Sequence, residues 1–474
     1  MPGFDEVLNG GLIGGRTYLL TGPPGGGKTT LGWHFLTAGA AQGEPVMFIT
    51  FGEPEAELRA NAAAMGFETG GVTFCDLSPS SDTFEKIQSY DIFSAAEVEL
   101  GPTTEAIIEA VTQAKPRRVF IDSMTSLRYL AKDPPEFRRQ TLSLLRYLLT
   151  GGGCILITAE SSAEAPDDDL RFLCDGVVEL LPEDRHRTLR ITKFRGSDYR
   201  GGEHTLRLSE RGAVVYPRLI PARYGSEFKL EVLSWGLPAL DAMMNGGIER
   251  GTITLLTGPS GVGKTTVGMQ FVKEAAARGE RSAAYTFDEP KSTLLRRCEQ
   301  VGIPVEEMCK AGTLSVTAIE ALQFSGDEFA NLVRKDVEDN GTRIVMIDSI
   351  SGYKLSMRGD DLNERLHALG RYLQNVGVTL LLVNEALHLD DFRVSEVGVS
   401  YLADNVLFMR YIEEHNSAHA QIGRVIGVLK KRLSDFDKCI HRFELRSDGI
   451  IVGDPVVDFN GMFGNAPRVR EGAL

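Results

Sequence analysis

The sequence predicts an α/β protein built twice, as two tandem domains that each form a mainly parallel sheet flanked by helices. Three observations predict it. The stretch LLTGPPGGGKTT beginning at Leu19 returns as LLTGPSGVGKTT beginning at Leu255. A β-like run leads into each copy, Thr17 to Thr21 and Thr252 to Thr257, and a helical pattern follows. Further apolar runs alternate with amphipathic stretches such as Phe137 to Leu149 and Leu362 to Asn375, the alternation that builds parallel sheets. The chain has 474 residues, too many for one ordinary core.

The landmarks keep step along the chain. Both glycine stretches fit G-x-x-x-x-G-K-[ST], as Gly22 to Thr29 and Gly258 to Thr265, with lysines 264 − 28 = 236 residues apart. Asn-Gly-Gly at Asn9 and Asn245 has the same offset of 236. The runs VMFITFGEP and AAYTFDEP close on Glu53 and Glu289, each 25 residues after its lysine (53 − 28; 289 − 264). RRVFIDS and RIVMIDS carry Asp122 and Asp348, and a Lys-x-Arg follows at Lys193/Arg195 and Lys430/Arg432, 165 and 166 residues after the respective lysines. Four landmarks in one order make a duplication. Prolines and a glycine interrupt any period in YPRLIPARYGSEF, so the domains are read as 1–220 and 221–474.

Each landmark has a chemical reading. Gly22, Gly25 and Gly27, like Gly258, Gly261 and Gly263, let backbone N–H groups turn inward around phosphate oxygens. The helices opening on Lys28-Thr29-Thr30 and Lys264-Thr265-Thr266 present their positive ends to the same phosphates. Lys28 and Lys264 would reach the β- and γ-phosphates of ATP, while Thr29 with Asp122, and Thr265 with Asp348, would hold Mg2+. Glu53, Asp288 and Glu289 are candidates to polarise the attacking water or hydroxyl. The Lys-x-Arg pairs read either as solvated surface charge or as a finger crossing to a neighbouring subunit's γ-phosphate.

Composition narrows the partners. Counting 51 Lys+Arg against 65 Asp+Glu gives a net charge of −14, the wrong sign for gripping a phosphate backbone, so a nucleic-acid partner is not expected. No apolar run approaches the ~18 residues of a membrane helix, and the N-terminus has no signal-peptide pattern; a cytoplasmic protein is expected. Six cysteines lie scattered without C-x-x-C spacing, which predicts buried free thiols rather than a zinc site.

The whole resembles the KaiC family of tandem RecA-like ATPases and autokinases. The likeness covers nearly the entire chain: GFDEVLNGGL looks like the family's entry segment, and KFRGSDYRGGEH and the two IDS strands look like its later ones. It implies a double-ring homohexamer with ATP at subunit interfaces, reached by Lys193/Arg195 and Lys430/Arg432, and a KaiB-like or other signalling partner. In that family the first domain is mainly a slow ATPase, and the second also phosphorylates an adjacent Ser-Thr pair in its own ring. Here the matching segment reads RVSEVGVSYLADN, placing Ser400 and Tyr401 at the pair and Ser395 five residues earlier.

Where the family has Glu-Glu, this chain has Gly52-Glu53 in the first copy and Asp288-Glu289 in the second. Loss of a general base typically costs ~10²–10⁴-fold in rate, so the first copy is expected to favour ring assembly and the second phosphoryl transfer. The sequence closes on FGNAPRVREGAL soon after the family's core, so regulation through a long C-terminal tail is not expected. Two other readings stand beside this one. A RecA-like DNA-dependent ATPase shares the motifs but not the charge, and a nucleotide-bound signalling scaffold without kinase activity suits Gly52.

Overall fold

The computed structural model describes residues 1–79, 95–129, 131–160, 166–182, 187–357, 361–385, 401–416, 419–456, 459–460 and 468–469. The chain divides into two compact units, Met1–Arg218 and Leu219–Leu474. In the first, the strands are β1 (Thr17–Thr21), β2 (Val46–Thr50), β3 (Val72–Asp76), β4 (Arg118–Asp122), β5 (Cys154–Ala159), β6 (Gly176–Pro182), β7 (Arg187–Phe194), β8 (Glu203–Ser209) and β9 (Gly212–Tyr216). They lie in the order β3-β2-β4-β5-β1-β6-β7-β8-β9. Neighbours from β3 to β6 are parallel, and β7 to β9 add an antiparallel extension.

The second unit repeats the plan. After a short ribbon of β10 (Val232–Leu233) and β11 (Ile248–Glu249) come β12 (Ile253–Gly258), β13 (Ser282–Thr286), β14 (Leu314–Ala318), β15 (Ile344–Asp348) and β16 (Thr379–Glu385). Then follow β17 (Asn405–Asn416), β18 (His419–Lys431), β19 (His441–Arg446) and β20 (Gly449–Pro455). Their order, β14-β13-β15-β16-β12-β17-β18-β19-β20, is that of the first sheet strand for strand.

Side-chain alternation explains why the strands read as continuous apolar runs. Leu20, Phe48 and Phe120 point to one face of the first sheet, where Trp33 meets them; Leu19, Met47, Ile49 and Ile121 point to the other, against Phe137. Helices cover both faces, so no position needs to be polar. Each such side chain contributes roughly 1.5–3 kcal/mol on burial. The helix Lys28–Ala41 approaches so closely that a Cβ on Gly32 would lie 2.1 Å from the Phe120 ring. Gly32→Ala would therefore overpack this face, at a cost of about 1–3 kcal/mol.

Helix boundaries follow capping chemistry. The stretch read from Phe137 begins three residues earlier, as Pro134–Leu149, because Asp133 caps it by accepting from the Glu136 N–H and Pro134 suits the first turn. Leu362–Asn375 forms as expected. Among the cysteines, Cys75, Cys154, Cys174 and Cys298 are buried free thiols, but Cys309 is half-buried and Cys439 exposed, which corrects the expectation for those two. Among the described residues, no helix is long and apolar enough to cross a membrane.

Sheet polarity positions the site. Open α/β sheets bind ligands beyond the carboxyl ends of their parallel strands, and β1, β2, β4 and β5 all end on the same side. Strand β7 runs the other way: its last residue, Phe194, lies opposite Gly176, and Gly176 opposite Tyr18, the second residue of β1.

Candidate functional site

Each unit builds a phosphate cradle from its glycine loop. Gly22, Gly25 and Gly27 have φ of 149°, 73° and 101°, and Gly258, Gly261 and Gly263 have 151°, 75° and 118°. Only glycine takes such angles freely. At Gly22 space forbids a side chain as well, since a Cβ would lie 2.5 Å from the Leu180 carbonyl oxygen. Gly27 and Gly263 are the left-handed caps from which the helices Lys28–Ala41 and Lys264–Ala277 start. Thr30 and Thr266 are buried in the first turns of those helices.

The charged groups take matching positions. Lys28 Nζ donates to the carbonyls of Gly22 at 2.8 Å and Pro23 at 2.9 Å; Lys264 Nζ donates to Gly258 at 2.8 Å and Pro259 at 2.7 Å. Burial pulls both ammonium groups below their usual pKa, against the charges of Glu160 and Asp122 around Lys28 and of Glu385 and Asp348 around Lys264. Thr29 Oγ1 donates to Asp122 Oδ2 at 2.6 Å, and Thr265 Oγ1 to Asp348 Oδ2 at 2.6 Å. The second Asp122 oxygen accepts from Thr158 Oγ1 at 2.6 Å. Burial also pushes the Asp348 carboxyl above the ordinary carboxylate range, opposed by the Thr265 hydrogen bond. A hydroxyl paired with a carboxylate is a hard-oxygen donor set, the kind that suits Mg2+.

Asp122 does not end the strand beside the loop, because β5 lies between β4 and β1. The residue that follows β5 is Glu160, which lines a cavity of about 520 Å3 together with Lys28, Thr29, Glu53 and Asp122. Its counterpart Glu385 ends β16 in register with Gly258. The signal for both was present, since ILITAE and LLLVNE are also apolar runs ending in glutamate.

The candidate bases differ between units. Glu53 is exposed and lies three residues beyond the end of β2, its carbonyl accepting from Thr50 Oγ1 at 2.8 Å. Glu289 is half-buried, and its Oε2 accepts from Arg297 Nη2 at 2.8 Å. Burial raises its carboxyl pKa, with Arg297 pulling the other way. Asp288 accepts a 2.8 Å hydrogen bond from the hydroxyl of Ser349, which is itself fixed by the Gly352 N–H at 2.9 Å. Beside the second loop, the Tyr411 hydroxyl donates to Ser260 O at 3.4 Å and the Arg424 guanidinium lies 5.8 Å from the Tyr411 ring centre. No motif in the sequence marks either residue.

The Lys-x-Arg pairs lie at the other end of their sheets. Lys193 Nζ donates to the carbonyls of Arg171 and Phe172 at 2.9 and 3.1 Å, and Arg195 meets Asp175 at 3.6 Å. Asp175 in turn accepts from the N–H of Thr17, the first residue of β1. In the second unit Lys430 Nζ donates to Ala403 O at 2.6 Å and Arg432 meets Asp404 at 3.2 Å. Arg195 and Arg432 keep 57% and 52% of their side-chain surface exposed, so neither pair reaches the loop of its own unit. Tyr401 is exposed and its carbonyl accepts from Arg432 Nη2 at 3.4 Å. Ser395 and Ser400 lie outside the described residues.

A parallel strand, a glycine loop, a lysine-headed helix and a hydroxyl–carboxylate pair at the strand ends define the class of P-loop ATPases. The model of the KaiC ATPase family matches residues 1–220 and again 233–456, and the chain belongs to that family. It is similar to the circadian clock oscillator protein KaiC of Prochlorococcus marinus, with 28% identity over 484 residues covering 99% of this chain and 94% of that protein. It is similar also to the KaiC of Synechococcus elongatus, at 27% identity over 98% of this chain and 91% of that protein. A third relative is the circadian clock protein KaiC3 of Synechocystis, at 27% identity over 98% of this chain and 93% of that protein.

Proposed function

We propose that this KaiC-family ATPase closes into a ring of six copies with ATP between neighbours, and that its second unit transfers phosphate to the Ser400-Tyr401 pair of the adjacent copy. The observation that carries the reading is polarity. Lys193/Arg195 and Lys430/Arg432 sit at the amino ends of strands whose carboxyl ends hold the loops, so each pair suits a nucleotide held by another copy. A head-to-tail contact that closes is the symmetry such a site requires.

In this reading Lys28 and Lys264 hold the transferring phosphate, and Thr29 with Asp122 and Thr265 with Asp348 hold Mg2+, which would supply charge neutralisation when bound. Asp288, aimed by Ser349, and Glu289, gripped by Arg297, position the nucleophile in the second unit. The Tyr401 carbonyl accepts from Arg432, which supports a reading in which Tyr401 and the arginine face the same neighbouring copy. A KaiB-like or other signalling protein that reads the phosphorylated ring is the partner this function requires.

The test is phosphopeptide mass spectrometry after incubation with Mg·ATP, beside a Lys264→Ala protein. Phosphate on Ser400, Tyr401 or Ser395 in the parent alone is expected; phosphate in both proteins would exclude transfer through the second site. A second reading for the first unit, a nucleotide-bound assembly platform with little turnover, rests on Gly52 and on the exposed Glu53. Rapid hydrolysis by a Lys264→Ala protein would contradict it.

A further inference from the structure

Three carboxylates line the first unit's cavity beside Lys28 and Thr29: Glu53, Asp122 and Glu160. Both oxygens of Asp122 are engaged, Oδ2 by Thr29 Oγ1 and Oδ1 by Thr158 Oγ1, each at 2.6 Å. A carboxylate fixed in this way suits a metal shell better than a passing proton. Glu160 is differently placed. Its side chain is exposed and, among the described residues, its carboxylate has no hydrogen-bond partner, while its backbone N–H donates to Thr125 Oγ1 at 3.0 Å. Thr125 is buried in the helix Met124–Tyr129, so the end of β5 is tied to the segment that follows Asp122.

Charge separates Glu160 from Glu53. Burial weakens the Lys28 ammonium, and the carboxylates that oppose this are Glu160 first and Asp122 second; Glu53 is not among them. Because a Coulomb interaction weakens with distance and with exposure to water, Glu160 is the unengaged carboxylate that acts most strongly on the lysine. That lysine is where the γ-phosphate of ATP would be held. The second unit repeats the arrangement, since Glu385, in register with Gly258, is the first charge to oppose the burial of Lys264. There Asp288 and Glu289 stand near as well, whereas position 52 of the first unit is glycine.

We infer that Glu160 is the general base of ATP hydrolysis in the first unit. In this step the oxygen of a water bonds to the γ-phosphorus as the bond from that phosphorus to the bridging oxygen breaks, and the electron pair of the broken bond leaves with ADP. The proton that the water loses passes to the Glu160 carboxylate and from there to solvent. The same negative charge also opposes the γ-phosphate, so Glu160 favours turnover at the expense of ATP affinity. The inference rests on the reading of this cavity as an ATP site; it does not depend on ring formation or on phosphoryl transfer to protein.

The experiment follows phosphate release and the binding of a fluorescent ATP analogue in parallel, with full-length Lys264→Ala protein as the parent so that the first unit alone turns over. Adding Glu160→Gln is expected to lower phosphate release by about 10²-fold while the analogue binds as tightly as before or several-fold more tightly. Glu160→Asp, which keeps the carboxylate at shorter reach, is expected to fall between, and Glu53→Gln to cost less than Glu160→Gln. Phosphate release that survives Glu160→Gln, or that Glu53→Gln lowers more, would overturn the inference. So would binding lost together with turnover, which would make Glu160 a part of the ATP-binding surface or of the fold. A parent that binds the analogue and releases no phosphate would overturn it too, by leaving the first unit without hydrolysis; a parent that binds none would remove the reading of the cavity as an ATP site along with it.

Discussion

The two phosphate cradles are nearly interchangeable, but the carboxylates around them are not. Lysine-to-carbonyl and threonine-to-aspartate distances agree between units to within 0.2 Å, at 2.8, 2.9 and 2.6 Å against 2.8, 2.7 and 2.6 Å. Beyond the second strand, the first unit has one exposed carboxylate, Glu53, with Asn61 eight residues on. The second has Asp288 held by Ser349 and Glu289 held by Arg297. Duplication has thus kept the residues proposed to bind phosphate and varied those proposed to position the nucleophile. In that reading binding and turnover are set by different residues, so one can be lost while the other stays.

The largest effect that would sharpen this comparison comes from Gly52→Glu. A Cβ at Gly52 meets no atom within 4 Å, so the side chain costs no packing. In a Lys264→Ala background, it is expected to raise the first unit's ATP hydrolysis by about 10²-fold, the lower end of a general base's worth. An unchanged phosphate-release rate would break the comparison. Next in size are the single loop variants. Lys264→Ala is expected to remove more of the total hydrolysis than Lys28→Ala, measured as phosphate release at saturating ATP; equal losses would mean that the two units turn over alike.

Arg297→Met should have a smaller effect. Arg297 pulls the Glu289 carboxyl down against its burial, so removing the guanidinium raises that pKa further, and the acid limb of the rate profile is expected to move to higher pH. The rate above that limb should change only several-fold. A profile that keeps its acid limb would show that Glu289 does not titrate in the step observed.

The smallest effect concerns acid stability, and it sets the first unit against the second. Burial alone would raise the Asp167 and Glu179 carboxyls, but hydrogen bonds to Asp167 from Arg171 and Thr21, and to Glu179 from Arg190 and Arg171, outweigh it and hold both below the ordinary range. Their contribution is complete above about pH 5 and is lost as the pH falls below about 4. The register places Phe408 where the first unit has Glu179, so the second unit lacks this network. Each unit owns one fully buried tryptophan, Trp33 or Trp235, which allows separate readouts. In acid titration, Arg171→Met is expected to move the Trp33 transition to higher pH and leave that of Trp235 in place.

How much of this was legible in the sequence depends on whether the signal was local. The glycine loops, their lysines and Asp122 and Asp348 could be read directly, because each is tied to an apolar run of fixed period. Glu160 and Glu385 carry the same kind of signal, yet their place beside the loop depends on strand order, which no local pattern encodes. The grips of Ser349 on Asp288 and of Arg297 on Glu289 span 349 − 288 = 61 and 297 − 289 = 8 residues and follow only from packing. The same holds for Tyr224, whose ring packs edge-on against Tyr372. Nothing in the linker's composition announces that it completes a core, since prolines and a glycine read as interruption whether or not the segment is buried.

The opposed ends of the sheet have a genetic consequence. In the proposed ring, a copy with Lys28→Ala has lost its loop but keeps Arg195, while a copy with Arg195→Ala keeps its loop. At every junction where the second offers its loop to the first's arginine, both halves are whole. Two alleles that are each inactive would therefore complement in a mixed assembly, whereas a chain carrying both changes would spoil the junctions on either side of it and act as a dominant poison.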